Sequence, residues 1–223
     1  MSAILLGLAP PEAAHHGHKQ HGHDGKPAHG THGNPADMDA YIAHQEEPTR
    51  AEWQKPDEVV RALGLKPGQT ACDVGAGPGY FSLRLARAVG SGGQVYAVDV
   101  EPRMLETLLK RISEANARNV TPVLALPDDP LLPAASCDVI LVVDTFHHFP
   151  DGVAYLRKLR GALKPGGKVV NIDFHKKELP VGPPQDHLVA REDFLARASA
   201  AGLVLDVEHT FLAYQYFLVL KPK

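Results

Sequence analysis

The chain has only two cysteines in 223 residues, too few for a disulfide framework and without the paired spacing of a zinc motif. Cys72 and Cys137 stand far apart in sequence, each beside a predicted buried strand. They read as small core residues of a protein kept in a reducing compartment. Long apolar runs are also missing. No stretch approaches the ~20 residues that cross a bilayer, which excludes stable membrane insertion. Positive charge is not in excess either. The formal net charge of -3 removes any general electrostatic pull toward nucleic acid or anionic lipid. Apolar content of 44% is ordinary for a globular protein, and the length suits one domain with an appendage.

The appendage is expected over residues 1–45. From His15 to Gly33 the chain is rich in histidine and glycine (His15, His16, His18, His21, His23, His29 and His32). With almost nothing apolar to bury, this tract is expected to be disordered. Two readings stand. Either it is a solvated tail, or His15, His16, His18, His21 and His23 bind a divalent metal loosely, without fixed geometry. Ahead of it, Ile4 to Ala9 and the small residues Ala13 and Ala14 look like the end of an export signal within residues 1–14. That run is short, and no Lys or Arg precedes it. The folded unit is expected over residues 46–223.

What the chain does have is a glycine-rich turn at a strand-to-helix junction. A strand, Thr70 to Val74, runs into Gly75-Ala76-Gly77-Pro78-Gly79, and an amphipathic helix follows from Tyr80 to Val89. A second strand, Gln94 to Val98, then ends in Asp99. Glycine lets backbone approach a ligand that any Cβ would hold off. The helix N-terminus behind the turn offers free N–H groups and a positive dipole end. A carboxylate at the end of the next strand is placed to accept hydrogen bonds from a ribose. Spacing selects among nucleosides. The third glycine of the dinucleotide fingerprint G-x-G-x-x-G would fall on Tyr80. Asp73, two residues before Gly75, would repel a pyrophosphate but suits an ammonium group. S-adenosylmethionine carries an ammonium, a sulfonium and a ribose, and no phosphate.

Asp73-Val74-Gly75-Ala76-Gly77-Pro78-Gly79-Tyr80-Phe81, with Asp99 in register, resembles the first motifs of the class I S-adenosylmethionine-dependent methyltransferases. The resemblance extends from about Trp53 to the C-terminus. It implies S-adenosyl-L-methionine as cofactor, with Asp73 and the glycine loop (Gly75, Ala76, Gly77, Gly79) around the methionyl end, Asp99 on the ribose hydroxyls, and Tyr80 and Val100 also cofactor-binding. An acid after the third strand should reach the adenine amino group. There the usual Gly-Asp-Ala is replaced by Ala125-Leu126-Pro127-Asp128-Asp129, so either Asp128 or Asp129 is expected, and Pro127 has no N–H to give. The donor is a cytoplasmic metabolite, so the expected location is the cytoplasm, with export as the alternative.

The remaining pattern alternates strands and helices. Strands are expected at Asn119 to Leu124, Asp138 to Val143 and Lys168 to Asp173, the second a continuous apolar run of the doubly covered kind. Helices are expected from Lys55 to Leu63, over Met104 to Ile112, from Gly152 to Leu163 and from Arg191 to Ala201. The last two strands, Leu203 to Thr210 and Tyr214 to Leu220, have too short a connection for a crossover and must be antiparallel. This is an α/β, doubly wound, Rossmann-like sheet of seven strands, mostly parallel with an antiparallel last strand and helices on both faces.

Chemistry is expected after strands four and five. In Asp144-Thr145-Phe146-His147-His148-Phe149, family members commonly carry a His-His pair. His147 or His148 would serve as general base if the acceptor has a proton to lose, or one of them would stand in the cofactor loop or behind the site; Asp144 is counted with them as a catalytic candidate. Asp144, Asp173 and His175 form a minority metal reading, as in catechol-type enzymes. Pro180 to Pro184 and His187 are expected to cover the acceptor, and Tyr214 and Tyr216 to pack in the sheet. The leading function is methyl transfer to a small molecule, similar to quinone-biosynthesis enzymes. Nucleic-acid acceptors are disfavoured, because the Asn/Asp-Pro-Pro-Tyr/Phe motif is missing after strand four. The alternatives are a metal-dependent O-methyltransferase of a phenolic acceptor, a His-rich metal-binding protein on an inactive fold, or an NAD-dependent enzyme.

Overall fold

The computed structural model describes residues 37–223. The histidines proposed to bind metal and the apolar start of the chain lie outside the described residues.

Seven strands form one sheet in the order β3-β2-β1-β4-β5-β7-β6. They are β1 (Thr70–Val74), β2 (Gln94–Asp99), β3 (Val120–Leu124), β4 (Cys137–Val143), β5 (Leu163–Phe174), β6 (Leu203–His209) and β7 (Gln215–Pro222). The pairs from β3 through β5 are parallel, whereas β7 runs antiparallel to both β5 and β6. The central strand β4 reads as a nearly unbroken apolar run because both faces are covered. On one face Val59, Phe81, Leu85, Leu105 and Leu108 are buried against the sheet. They come from α3 (Pro56–Ala62), from Phe81, the N-cap of α4 (Ser82–Val89), from α4 itself and from α5 (Pro102–Glu114). On the other, Tyr155, Leu156, Leu159, Phe194 and Ala198 are buried, from α6 (Gly152–Ala162) and α7 (Arg191–Ala200). Each such side chain contributes roughly 1.5–3 kcal/mol by leaving water. Strand order reverses between β1 and β4, and the crevice at their carboxyl ends is where such sheets bind ligands.

Three features differ from the sequence reading. The boundary expected after residue 45 falls inside structured chain: α1 (Met38–Gln45), capped by Asp37 accepting from the Ala40 N–H at 2.9 Å, and α2 (Arg50–Gln54) precede α3. Only Met38 of α1 is buried, so no apolar periodicity marks this helix. Second, β5 starts at Leu163 and not at Lys168. Pairing passes from Cys137–Leu163 to Val139–Lys168 through a bulge, and the expected turn residues are absorbed in it. Third, Cys72 and Cys137 are joined by a disulfide, against the reading of two separate thiols. The sheet sets β1 directly beside β4, which brings together two residues 65 apart in sequence. Sequence spacing cannot report that adjacency.

Candidate active site

The crevice between β1 and β4 opens into a cavity of about 600 Å³, within the size range of small-molecule sites. Its floor is the glycine turn. Gly75, at φ +77°, packs so closely under Thr145 that an added Cβ would sit 2.1 Å from its Oγ1. Gly77, at φ +53°, has nothing within 4 Å of the position a Cβ would take, and it lines the cavity. Gly75 is therefore required by the fold, whereas Gly77 leaves open space that a ligand can enter.

Asp73 lines the cavity and is 2% exposed, with Ser82 Oγ donating to its Oδ2 at 2.6 Å. Burial pushes its carboxyl up to about 6, the Ser82 hydrogen bond opposing. At the far side of the turn, Asp99 Oδ2 accepts from the Gly77 N–H at 2.8 Å and Oδ1 from the Glu101 N–H at 2.9 Å. Burial raises this carboxyl too, and those backbone hydrogen bonds counter it. A carboxylate has about four lone-pair sites, so acceptor capacity is left toward the cavity. Ala76, Tyr80, Val100 and Met104 also line it.

Other expected residues fall elsewhere. Asp128 and Asp129 are not in the cavity wall. Asp129 pairs with Lys158 Nζ at 3.0 Å, Asp128 lies 4.0 Å from the same nitrogen, and the wall after β3 is made by Ala125 and Pro127. The turn that bridges Leu126 to Asp129 points both acids away. Gly79 is at φ +95° and faces Leu108, not the cavity wall. Asp144, Asp173 and His175 do not converge, and among the described residues no cluster of three or more His, Cys, Asp or Glu could hold a metal. Asp173 is fully buried against His147, while His175 lines a separate small hollow with Lys176, Lys177 and Arg191. His187 and the loop from Pro180 are absent from the cavity wall.

Of the three residues expected to be catalytic, Asp144 and His148 line the cavity. His147 sits behind them, 5% exposed, with Nδ1 3.5 Å from Asp173 Oδ2. Burial opposes charge on His147, but the hydrogen bond and charge of Asp173 raise it above the ordinary imidazole value. Burial and the charge of Asp173 push Asp144 up to about 7. Sequence reasoning missed Met38, Tyr41, Gln45 and Arg50, which roof the cavity from α1 and α2, and Tyr155 from α6. Arg50 lies over the Tyr80 ring at 4.1 Å and donates to Gln54 and Gln45. No motif marks these positions.

Residues 71–167 match the family model described as a methyltransferase domain. Over those residues the chain carries a methyltransferase domain, and its fold is that of S-adenosylmethionine-dependent methyltransferases. The solved SAM-dependent methyltransferase of Aquifex aeolicus superposes on this domain with a TM-score of 0.77 at 27% identity, covering 81% of this chain and 96% of that one. A 2-phytyl-1,4-naphtoquinone methyltransferase of Trichormus variabilis is 38% identical over 127 residues, 53% of this chain and 52% of the relative. A demethylmenaquinone methyltransferase of Staphylococcus aureus is 33% identical over 131 residues, 58% of this chain and 52% of the relative. The chain thus spans about half the length of the curated relatives it matches. S-adenosylmethionine is the cofactor of this domain type, and the residues present fit it. The face at Gly77 is open, and the Asp73 and Asp99 carboxylates and the Arg50 guanidinium line the same cavity, a charge set that matches the ammonium, ribose and carboxylate of such a ligand. Among the described residues no helix is long and apolar enough to cross a membrane.

Proposed function

We propose that this chain transfers a methyl group from S-adenosylmethionine to a small quinone-type acceptor in its reduced, hydroxylated form. One observation carries the reading. The same cavity runs from the Asp73–Gly77–Asp99 end, suited to the donor, to Asp144, Thr145, His148, Phe149 and Tyr155, where an aromatic acceptor has flat walls beside polar groups. Phe149 and Tyr155 are stacked at 3.7 Å, which presents a rigid aromatic edge to that end. The naphthoquinone substrates named for the relatives are of this chemical class.

The cofactor supplies an electrophilic methyl on a sulfonium, displaced in line. The chain's own work is to bind, orient and exclude water. Asp73 and the Gly77 turn hold the donor's amino-acid end, Asp99 and Val100 the ribose, and Arg50 the carboxylate. Pro127, Ala125 and Met104 border the adenine, so packing replaces the side-chain acid expected there. Tyr41, Gln45 and Arg50 close the roof over the reacting centre. Asp144 and His148 are placed to take a proton from the acceptor, and His147 with Asp173 buttresses them from behind. An inactive fold would have no use for the open face at Gly77 or for paired carboxylates kept at the cavity wall. The donor is made in the cytoplasm, and we place the protein there. Both cysteines of the disulfide are fully buried, which shields the bond from cytoplasmic thiols.

Titration calorimetry with S-adenosylhomocysteine, followed by a screen of hydroquinones, phenols, amines and thiols for S-adenosylhomocysteine release, tests the reading. Micromolar binding and turnover confined to hydroxylated aromatics are expected. Absence of binding, or turnover of thiols or amines alone, overturns it.

A further inference from the structure

Gln54 and Gln215 are 0% and 1% exposed, and a buried carboxamide is costly unless its groups are used. Gln215 Nε2 donates to Asp144 Oδ1 at 2.6 Å. Gln54 Nε2 donates to Gln215 Oε1 at 3.1 Å and reaches Asp144 Oδ2 at 3.5 Å. The two amides thus form a relay from α2 through β7 that ends on the carboxylate closing β4. Asp144 itself is held at φ +50°, a left-handed conformation that a non-glycine residue keeps only when its surroundings impose it.

We propose that Gln54 and Gln215 are positioning residues that hold Asp144 as proton acceptor for a hydroxyl-bearing methyl acceptor. This rests on the function proposed above and narrows it to acceptors that must lose a proton. The direction of the relay carries the argument. Arg50 Nε donates to Gln54 Oε1 at 2.6 Å, so Gln54 turns its N–H to Gln215 Oε1 and Gln215 turns its own N–H to Asp144, where an ionised carboxylate is the stronger acceptor. The clamp therefore favours ionised Asp144, a base, over a protonated acid. Among the described residues Asp144 Oδ2 receives only the long Gln54 contact, which leaves it able to accept a substrate hydroxyl at the cavity wall. In the step, the acceptor O–H bond breaks, its proton passes to Asp144, and the electron pair stays on the acceptor, whose phenolate form is the nucleophile. Charged and titratable groups facing Asp144 are Arg50 from α2, His147 beside it, Asp173 from β5, Tyr41 from α1 and Tyr216 from β7. Burial and Asp173 push Asp144 toward neutrality while Arg50 and the Gln215 hydrogen bond oppose them. A base near the working pH is the efficient choice.

The test is an infrared titration of the carboxylic C=O band, taken as wild type minus Asp144→Asn, with S-adenosylhomocysteine added. The band should titrate near neutral pH. Gln215→Met removes a charged hydrogen bond and should move the midpoint up by about 1–2 pH units. Gln54→Met should move it less. With a 2-alkyl-1,4-naphthohydroquinone as probe, the acid limb of the rate should shift in parallel, whereas a merely structural role would lower the rate equally at all pH. An unmoved midpoint in a folded Gln215→Met, or no band assignable to Asp144, overturns the proposal. Should Gln215→Met not fold, Gln54→Met decides by the same criterion. If wild type binds no S-adenosylhomocysteine, the proposed function fails, a result separate from the midpoint.

Discussion

Two alanine substitutions in the glycine turn should fail in different ways. At Gly77 an added Cβ meets no atom within 4 Å, so the folded protein bears only the left-handed backbone cost, about 1–2 kcal/mol. For a domain of this size that lowers Tm by roughly 3–6 °C. The same methyl projects into the cavity and should weaken S-adenosylhomocysteine at least about 30-fold, near 2 kcal/mol. At Gly75 the Cβ would lie 2.1 Å from Thr145 Oγ1. That hydroxyl donates to Val143 O at 2.7 Å and cannot turn aside without losing its partner. Backbone cost, steric displacement and the lost hydrogen bond together give about 4 kcal/mol. Thermal melts and calorimetry on both variants separate the two roles. Wild-type affinity in Gly77→Ala, or equal stability losses in both variants, would refute the assignment of Gly77 to the ligand and Gly75 to the fold.

Asp99→Ala should weaken S-adenosylhomocysteine by about 10–100-fold, because hydrogen bonds to a charged group contribute about 1.5–3 kcal/mol; calorimetry reads it. The Asp73 carboxyl, pushed up to about 6 by burial, has consequences of opposite sign for binding and stability. Its folded pKa lies above its unfolded one, so the unliganded protein binds the proton more tightly than the unfolded chain and loses stability as pH rises through about 6. Affinity for a cationic donor should rise over the same interval as Asp73 ionises, and Asp73→Asn should flatten both profiles in pH-dependent melts and calorimetry. The disulfide closes a loop of 65 residues, for which loop-closure entropy gives about 4 kcal/mol. Urea midpoints of the oxidised protein and of Cys72→Ala/Cys137→Ala should differ by about 2 M, and coincident midpoints would show that the bond contributes nothing.

Some parts of the site were readable because the local chain dictates them. A strand, a turn with three glycines and a helix must place Asp73 and Gly77 at one strand end, and the strand ending in Asp99 must lie next to it. The turn after β3 was not readable: Pro127 and the Leu126–Asp129 bridge turn Asp128 and Asp129 outward onto Lys158, a contact made by α6, thirty residues away. The His-His pair was legible, and so was the chance that one ring stands behind the site, but not which of the two. Which ring meets the cavity depends on where the 3-10 turn over Phe146–His148 sets each residue against β5. The roof of α1 and α2 carried no signal at all, because a helix that buries one side chain leaves no period to detect.

The amino-acid sequence alone determined the alternating α/β order, the reversed last strand and the meeting of Asp73, Gly77 and Asp99 at one strand end, since these follow from periodicity, turn chemistry and neighbours within about thirty residues. Only the tertiary structure decided the Cys72–Cys137 bond, the Gln54–Gln215 clamp on Asp144 and the Arg50 roof. Each joins segments far apart in the chain, and side chains meet across such distances only after the sheet has set its strand order.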